Sequence, residues 1–285
     1  FDCPAPLGFV LDSELVAAAP KELVASGYAD LIAKIPAAAD WMLADVTGNE
    51  AIDEFALNLV QDGLRESLSA PAAVHAGDLE MTEKLAEGLL MSGFAMQAAR
   101  SSRPASCTDH LFSHYLDMTH HTYNGKLQSH GFQVAIGTLT MCAFFDAFID
   151  MDLRNLDVDK CVEAWPSLEE EQQRALDIFK DFVSPKLGYN EITTKYGDKE
   201  AVREQLSAFK KHWPLLKATY RKQVYPFEKM QECFRKVGAP ADPADIGVTR
   251  QQLKDMMPFV QLMRWRMNMF DLARRGGFYE ELVEK

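Results

Sequence analysis

Asp109-His110-Leu111-Phe112-Ser113-His114 opens, and Ser129-His130-Gly131-Phe132 closes, the stretch around which the rest of this chain is organised. Five of its seven histidines fall within the twenty-one residues from His110 to His130: His110, His114, His120, His121 and His130. Imidazole is the commonest side-chain metal ligand. His110 and His114 stand four residues apart and share a face of a helix that Ser106 and Asp109 are placed to cap. After an irregular, polar segment at residues 119–129, His130 opens a second and strongly apolar helix. Two helix-borne imidazoles meeting across a short connection, joined by a carboxylate from elsewhere, make three protein ligands. Three ligands with one position open is the pattern of a catalytic metal site. The other reading is a set of solvated or backbone-bonded histidines. It fits His120 and His121 in their polar loop, and at this point it stays open for His110, His114 and His130.

Working outward, apolar residues recur at three- and four-residue intervals through most of the chain, so the expected fold is mainly α-helical. Helices are expected at residues 13–19, 20–25, 31–44, 49–69, 78–101, 108–118, 130–148, 157–164, 167–184, 199–224, 226–237 and 249–284. The last has a break near Gly276-Gly277. Ser167-x-x-Glu170 reads as a capping box and Thr249 as an N-cap. Turns and linkers are expected at residues 27–30, 70–77 and 238–247, where Gly, Pro and Asp gather. The exception to helix is Pro6-Leu7-Gly8-Phe9-Val10-Leu11-Asp12, which reads as a short strand with no partner elsewhere.

A chain of 285 residues with 47% hydrophobic content has ample material for a core. Its formal net charge of −12 excludes a broad nucleic-acid-binding surface, which needs a concentrated positive field. An anionic small molecule then requires a local cationic pocket or a metal. The longest apolar run, residues 131–145, is interrupted by Gln133, Gly137 and two threonines and reads as a buried helix, not a membrane span. The five cysteines are scattered and odd in number, which suits reduced thiols and a cytoplasmic setting. No signal peptide is expected from these residues, and the chain opens on Phe1-Asp2-Cys3-Pro4 without an initiating Met, as a processed or cut chain does.

Among many carboxylates, Asp30 stands out because it precedes an almost wholly apolar helix. A charge there must be paired, capping or ligating. Asp40, beside Trp41 inside that helix, is a candidate buried hydrogen-bonding residue.

At these residues a resemblance emerges. Ser26-Gly27-Tyr28-Ala29-Asp30-Leu31-Ile32-Ala33-Lys34 followed by Ala39-Asp40-Trp41 resembles a signature of glycerol-1-phosphate dehydrogenases. Ser102-Arg103-Pro104-Ala105-Ser106 with Asp109-His110-x-x-Ser113-His114 is similar to their R-P-A-S block. Ser129-His130-Gly131-x-x-Val134-x-x-Gly137-Thr138 is similar to their second histidine block. Cys107, Asp109 and Ala29 depart from the usual Gly, Glu and Gly. The wider relatives are glycerol dehydrogenases, iron-containing alcohol dehydrogenases and dehydroquinate synthases.

The resemblance implies Asp30, His110 and His130 as metal ligands, with His114 and Asp30 as catalytic and substrate-contacting residues. It implies zinc or nickel, NADH or NADPH, and interconversion of dihydroxyacetone phosphate with sn-glycerol 1-phosphate, a step of phospholipid biosynthesis. The substrate is then a small phosphorylated triose or polyol, and the protein a homo-oligomer, dimer or larger. For the substrate phosphate, Lys34, Arg100 and Arg103 are candidates by position. It also implies that residues 13–285 form the helical metal-binding domain of a dehydroquinate synthase-like fold. Residues 1–12 would then be the last strand of a Rossmann-like domain whose Gly-rich turn and cofactor site are otherwise missing. Three alternatives remain open: a related polyol or alcohol dehydrogenase, a dehydroquinate-synthase-like cyclase, and a non-catalytic helical module.

Overall fold

The computed structural model describes residues 6 and 8–285, and among them helix dominates, with a single two-stranded sheet. Asp12 caps α1 (Ser13–Ala17), after which α2 (Lys21–Ile32) and α3 (Lys34–Val46) follow as a nearly continuous rod. The turn expected at residues 27–30 does not form: these residues lie within α2, which places Asp30 in that helix's last turn. The rod breaks at Ala33 because Pro36 has no N–H for the Ile32 carbonyl, and its ring crowds that oxygen. The expected helix over residues 49–69 divides into α4 (Glu54–Gln61) and α5 (Leu64–Ser67) at Gly63, whose φ of 76° favours glycine. The expected linker at residues 70–77 contains a short helix, α6 (Pro71–Ala76).

The next two helices, α7 (Leu79–Ala99) and α8 (Thr108–Met118), lie where the periodicity puts them. Between α8 and the following helix, the segment read as irregular holds an antiparallel hairpin. Its strands are β1 (Thr122–Tyr123) and β2 (Lys126–Leu127), with Thr122 opposite Leu127. Asn124 and Gly125, at φ 53° and 73°, supply the left-handed pair that a tight hairpin turn demands. Then come α9 (His130–Asp150), α10 (Val158–Ala164), α11 (Leu168–Phe179), α12 (Leu187–Lys195), α13 (Lys199–Gln223) and α14 (Phe227–Val237). The helix expected over residues 167–184 ends at Phe179, and α12 is an addition to the expected set. The helix expected over residues 249–284 is three: α15 (Arg250–Leu262), α16 (Met269–Arg275) and α17 (Tyr279–Glu284). Asn268 and Asp271 form a capping box that restarts the chain as α16 after an irregular segment at residues 263–268.

The strand expected at residues 6–12 falls partly outside what the structure describes. Leu7 and residues 1–5 lie outside the described residues, and residues 8–12 carry no strand. Extended backbone without a neighbour has no ladder partner for its amides.

The core is built around α9, and fifteen of its residues are buried, among them Val134, Ile136, Leu139, Phe144, Phe145 and Phe148. By length and composition α9 is apolar enough to cross a membrane, but 78% of the relevant window is buried inside this fold. Phe148 packs on Trp213 and Phe209 of α13, while Phe144 meets Phe270 of α16 edge-on at 4.8 Å. That packing fixes α9 as the platform from which His130 projects.

Candidate metal centre

Three helices deliver three ligand-type side chains to one point. Asp30 comes from the end of α2, His110 from the first turn of α8, and His130 from the first residue of α9. Asp30 Oδ1 lies 3.0 Å from His110 Nε2 and 3.6 Å from His130 Nε2. The three donor atoms fall within 4.8 Å of one another. Ligands bound to zinc at ~2.0–2.2 Å in a tetrahedron stand roughly 3.3 Å apart, so the spacing suits one small divalent cation.

Two glycines permit the convergence. A Cβ on Gly131 would fall 2.0 Å from the Ser26 carbonyl oxygen, and one on Gly137 would fall 2.0 Å from that of Asp109. Bare backbone at these positions lets α9 lie directly against α2, one turn before Asp30, and against α8 beside His110.

The surrounding groups orient each ligand. Ser113 Oγ donates to Gln133 Oε1 at 2.8 Å, so it accepts from His130 Nδ1 at 3.0 Å. That hydrogen bond leaves the Nε2 lone pair of a neutral His130 facing Asp30. His110 Nδ1 faces Asp109 Oδ1 at 3.3 Å, outside hydrogen-bond geometry, and both Asp109 oxygens are buried without a hydrogen-bond partner. Burial opposes protonation of His110, but Asp109 outweighs it and holds the His110 pKa above the usual value. Lys34, almost fully buried, donates to Asp30 Oδ2 at 3.0 Å. Burial alone would raise the Asp30 pKa, yet Lys34, the hydrogen bond with His110 and the nearby His130 imidazole hold it well below the carboxylate range. The result is an ionised carboxylate oxygen between two imidazoles, a donor set that fits a divalent cation by charge as well as spacing. Asp30 is therefore a paired charge, not the helix cap that was one of its expected roles. Its side chain is 25% exposed and that of His130 51%, against 6% for His110, so the centre opens to solvent on the His130 side.

The caps expected for α8 are also corrected. Cys107 occupies the N-cap position with no side-chain cap, and Ser106 and Asp109 do not serve as caps. Asp40 of α3 does this work from across the fold. Its Oδ2 accepts from Thr108 N at 3.3 Å and from Thr108 Oγ1, and its Oδ1 accepts from Met269 N at 2.8 Å. Its backbone carbonyl accepts from Arg103 Nη2 at 3.1 Å. One buried carboxylate thus ties together the starts of α8 and α16. Burial pushes its pKa up, against the pull of Arg103 and Thr108. Replacing Asp40 by Ala is expected to cost on the order of 3–5 kcal/mol, because it orphans two buried backbone donors and part of the charge balance of Arg103. Urea denaturation measures this, and a loss below about 1 kcal/mol would mean that α8 is anchored elsewhere.

The remaining expected residues are placed as follows. His114 lies one turn beyond His110 on α8, half-buried. Burial, with Arg264 nearby, holds its pKa at about 4, below the ~6.5 of an unfolded histidine. The unfolded chain takes up this proton first, so stability falls as pH is lowered from ~6.5 towards 4. Replacing His114 by Gln is expected to flatten that part of a urea-midpoint-against-pH curve, and an unchanged slope would eliminate His114 as its source. His120 is exposed, and His121 Nε2 bonds the Ile246 carbonyl at 2.6 Å. Of the phosphate candidates, Lys34 is engaged by Asp30, and Arg103 is buried against the carbonyls of Asp40 and Met267 and the carboxylate of Glu50. Arg100 is exposed at the end of α7. Sequence reasoning passes over Ser113 and Gln133, whose spacing of 20 residues carries no local pattern.

With the geometry in place, comparison with known proteins is informative. The chain is 38% identical over 136 residues to the glycerol-1-phosphate dehydrogenase (NAD(P)+) of Hyperthermus butylicus, covering 48% of this chain and 38% of that one. It is 39% identical over 143 residues to the enzyme of the same name from Korarchaeum cryptofilum, covering 48% and 44%. Over about half its length, this chain is a homologue of glycerol-1-phosphate dehydrogenases. A bacterial glycerol-1-phosphate dehydrogenase, from Bacillus licheniformis, is 29% identical over 160 residues, covering 56% and 40%. The matches thus span less than half the length of these glycerol-1-phosphate dehydrogenases. No family model matches the chain.

Proposed function

We propose that this chain is the metal-binding part of a nicotinamide-dependent enzyme that interconverts dihydroxyacetone phosphate and sn-glycerol 1-phosphate. The observation that carries the reading is the convergence of Asp30, His110 and His130 at 3.0–3.6 Å, in a chain homologous to glycerol-1-phosphate dehydrogenases. In this reading the three residues hold a divalent cation, for which two imidazoles and a carboxylate suit zinc or nickel. NADH or NADPH is held mainly by a nucleotide-binding domain N-terminal to the helices.

A bound divalent cation supplies Lewis acidity to the oxygen of the carbon that gains or loses hydride. The residues of the chain do the rest. Lys34 neutralises Asp30 Oδ2 and leaves Oδ1 as the ligand atom. Ser113 and Gln133 fix the ring of His130. His114, neutral at neutral pH, accepts a hydrogen bond from a substrate hydroxyl at a ring nitrogen and takes up its proton. The half-exposed His130 side is the face by which substrate enters.

The test is dihydroxyacetone-phosphate-dependent oxidation of NADH and NADPH by the full gene product, with its metal content measured alongside. Oxidation is expected to disappear on chelation and return with zinc. Replacing His114 by Ala is expected to lower turnover about 10²-fold or more while metal content stays at the wild-type level. Metal binding with no such oxidation under any condition would leave a non-catalytic helical module, and loss of metal from the His114 variant would make that residue a ligand.

A further inference from the structure

An open cleft lies at the start of α8, and none of the roles assigned above uses it. Its walls include Ser102, Ser106, Cys107, Leu111, Arg264 and Arg266. The two arginines come from residues 263–268, where the chain leaves α15 before α16 begins. Among the described residues neither has a carboxylate within 4.0 Å, the limit for an ion pair. Arg266 donates to Ser102 Oγ at 3.1 Å and Ser101 Oγ at 3.2 Å, and its Nε is buried without a partner. Burial and the neighbouring Arg103 and Arg264 hold the Arg266 pKa below its usual value, against the pull of Glu50. Two guanidinium groups without partner acids, gathered in a chain of net charge −12, form the local cationic pocket that an anionic ligand of such a protein requires.

Leu111 of α8 lines the cleft, and it stands beside His110 in the chain and three residues before His114, while Cys107 at the N-cap of α8 lines the cleft three residues before His110. Residues three apart on a helix have Cβ atoms about 5–6 Å apart, a step comparable with a triose phosphate from its keto oxygen to its phosphorus. Lys34 and Arg103, which position alone would nominate, are committed to Asp30 and to the carbonyls of Asp40 and Met267.

We propose that Arg264 and Arg266, with the hydroxyls of Ser102 and Ser106, bind the phosphate of a phosphorylated triose or polyol whose other end meets Asp30, His110 and His130. The second half of this statement rests on the metal-centre reading, but the first does not. Guanidinium groups suit the role because they present several N–H donors to a phosphate and remain charged.

The test is calorimetric titration of inorganic phosphate, then glycerol 1-phosphate, into the chain after chelation of metal. Both are expected to bind the wild type. Arg264→Gln and Arg266→Gln are each expected to weaken binding about tenfold or more, and Asp30→Asn to leave phosphate affinity unchanged. Arg264 makes no hydrogen bond to the rest of the described fold, so its variant remains informative if Arg266→Gln unfolds. Absence of phosphate binding by the wild type would overturn the proposal, as would equal affinity in Arg264→Gln. Displacement of phosphate by NADP but not by glycerol 1-phosphate would also overturn it, by assigning the cleft to a cofactor phosphate. Zinc content of Asp30→Asn is read separately, so a failure of the metal centre leaves the result for the arginines intact.

Discussion

Replacing His110 with alanine is expected to abolish stoichiometric binding of a divalent cation, and replacing Asp30 or His130 with alanine to do the same. Each supplies one of three donor atoms, and the pair that remains leaves a cation held largely by water. The effect should exceed the ~10–100-fold loss of affinity typical when an outer partner of a ligand is removed. Ser113→Ala provides that lesser case, since Ser113 holds His130 Nδ1 at 3.0 Å without reaching the centre itself. His120→Ala and His121→Ala provide the baseline, because one is exposed and the other is bonded to the Ile246 carbonyl. Equilibrium dialysis with zinc orders the series: no binding, weakened binding, full binding. A His110→Ala chain that binds zinc as tightly as the wild type would remove His110 from the centre.

The second large effect is expected from a single methyl group. Gly137→Ala places a Cβ 2.0 Å from the Asp109 carbonyl oxygen, and Gly131→Ala places one 2.0 Å from that of Ser26. Neither obstacle is a side-chain tip that can swing away, so α9 must retreat from α8 or from α2. Overpacking costs about 1–3 kcal/mol where side chains adjust, and more where backbone must move. The displacement also separates His130 from Asp30, so zinc affinity should fall together with stability. Gly93→Ala in α7 is the control: nothing lies within 4 Å of its added Cβ, and relief of glycine's backbone freedom should stabilise that helix by roughly 0.5–1 kcal/mol. Urea denaturation of the three variants separates these outcomes. Equal stabilities for Gly137→Ala and Gly93→Ala would show that the close approach of α8 and α9 is not what holds the centre.

The helical character of the chain and a group of helix-borne imidazoles at His110, His114 and His130 are legible in the sequence because they rest on local signals, three- and four-residue periodicity and histidine spacing, whereas the choice of His110 with His130 comes from the resemblance. The third ligand-type residue stands out locally as a charge before an apolar helix, but its place beside the histidines is legible only through resemblance, since nothing in the spacing of the carboxylates ties it to a residue eighty positions downstream. Local signals even misplace the setting of Asp30. Gly27-Tyr28-Ala29-Asp30 reads as a turn, yet Gly27 is helical and stands opposite Leu89, its added Cβ only 3.3 Å from Cδ1. Glycine has two uses, turn and close approach, and the sequence does not distinguish them. The same ambiguity conceals the roles of Gly131 and Gly137. Asp40 reads as a buried hydrogen-bonding residue, but its partners Thr108 and Met269 are 68 and 229 residues away and no local pattern names them. Arg264 and Arg266 are hidden differently. Taking residues 249–284 as one helix places them among ordinary surface charges, whereas Asn268 with Asp271 is an available sign that the chain restarts there.

A crystal structure of the zinc-loaded protein, with anomalous scattering collected at the zinc edge, bears on the metal centre without intermediaries. One strong peak is expected about 2.0–2.2 Å from Asp30 Oδ1, His110 Nε2 and His130 Nε2, with at least one further position open to solvent. A peak coordinated by other residues, or zinc-saturated crystals with no peak among these three, would refute the centre.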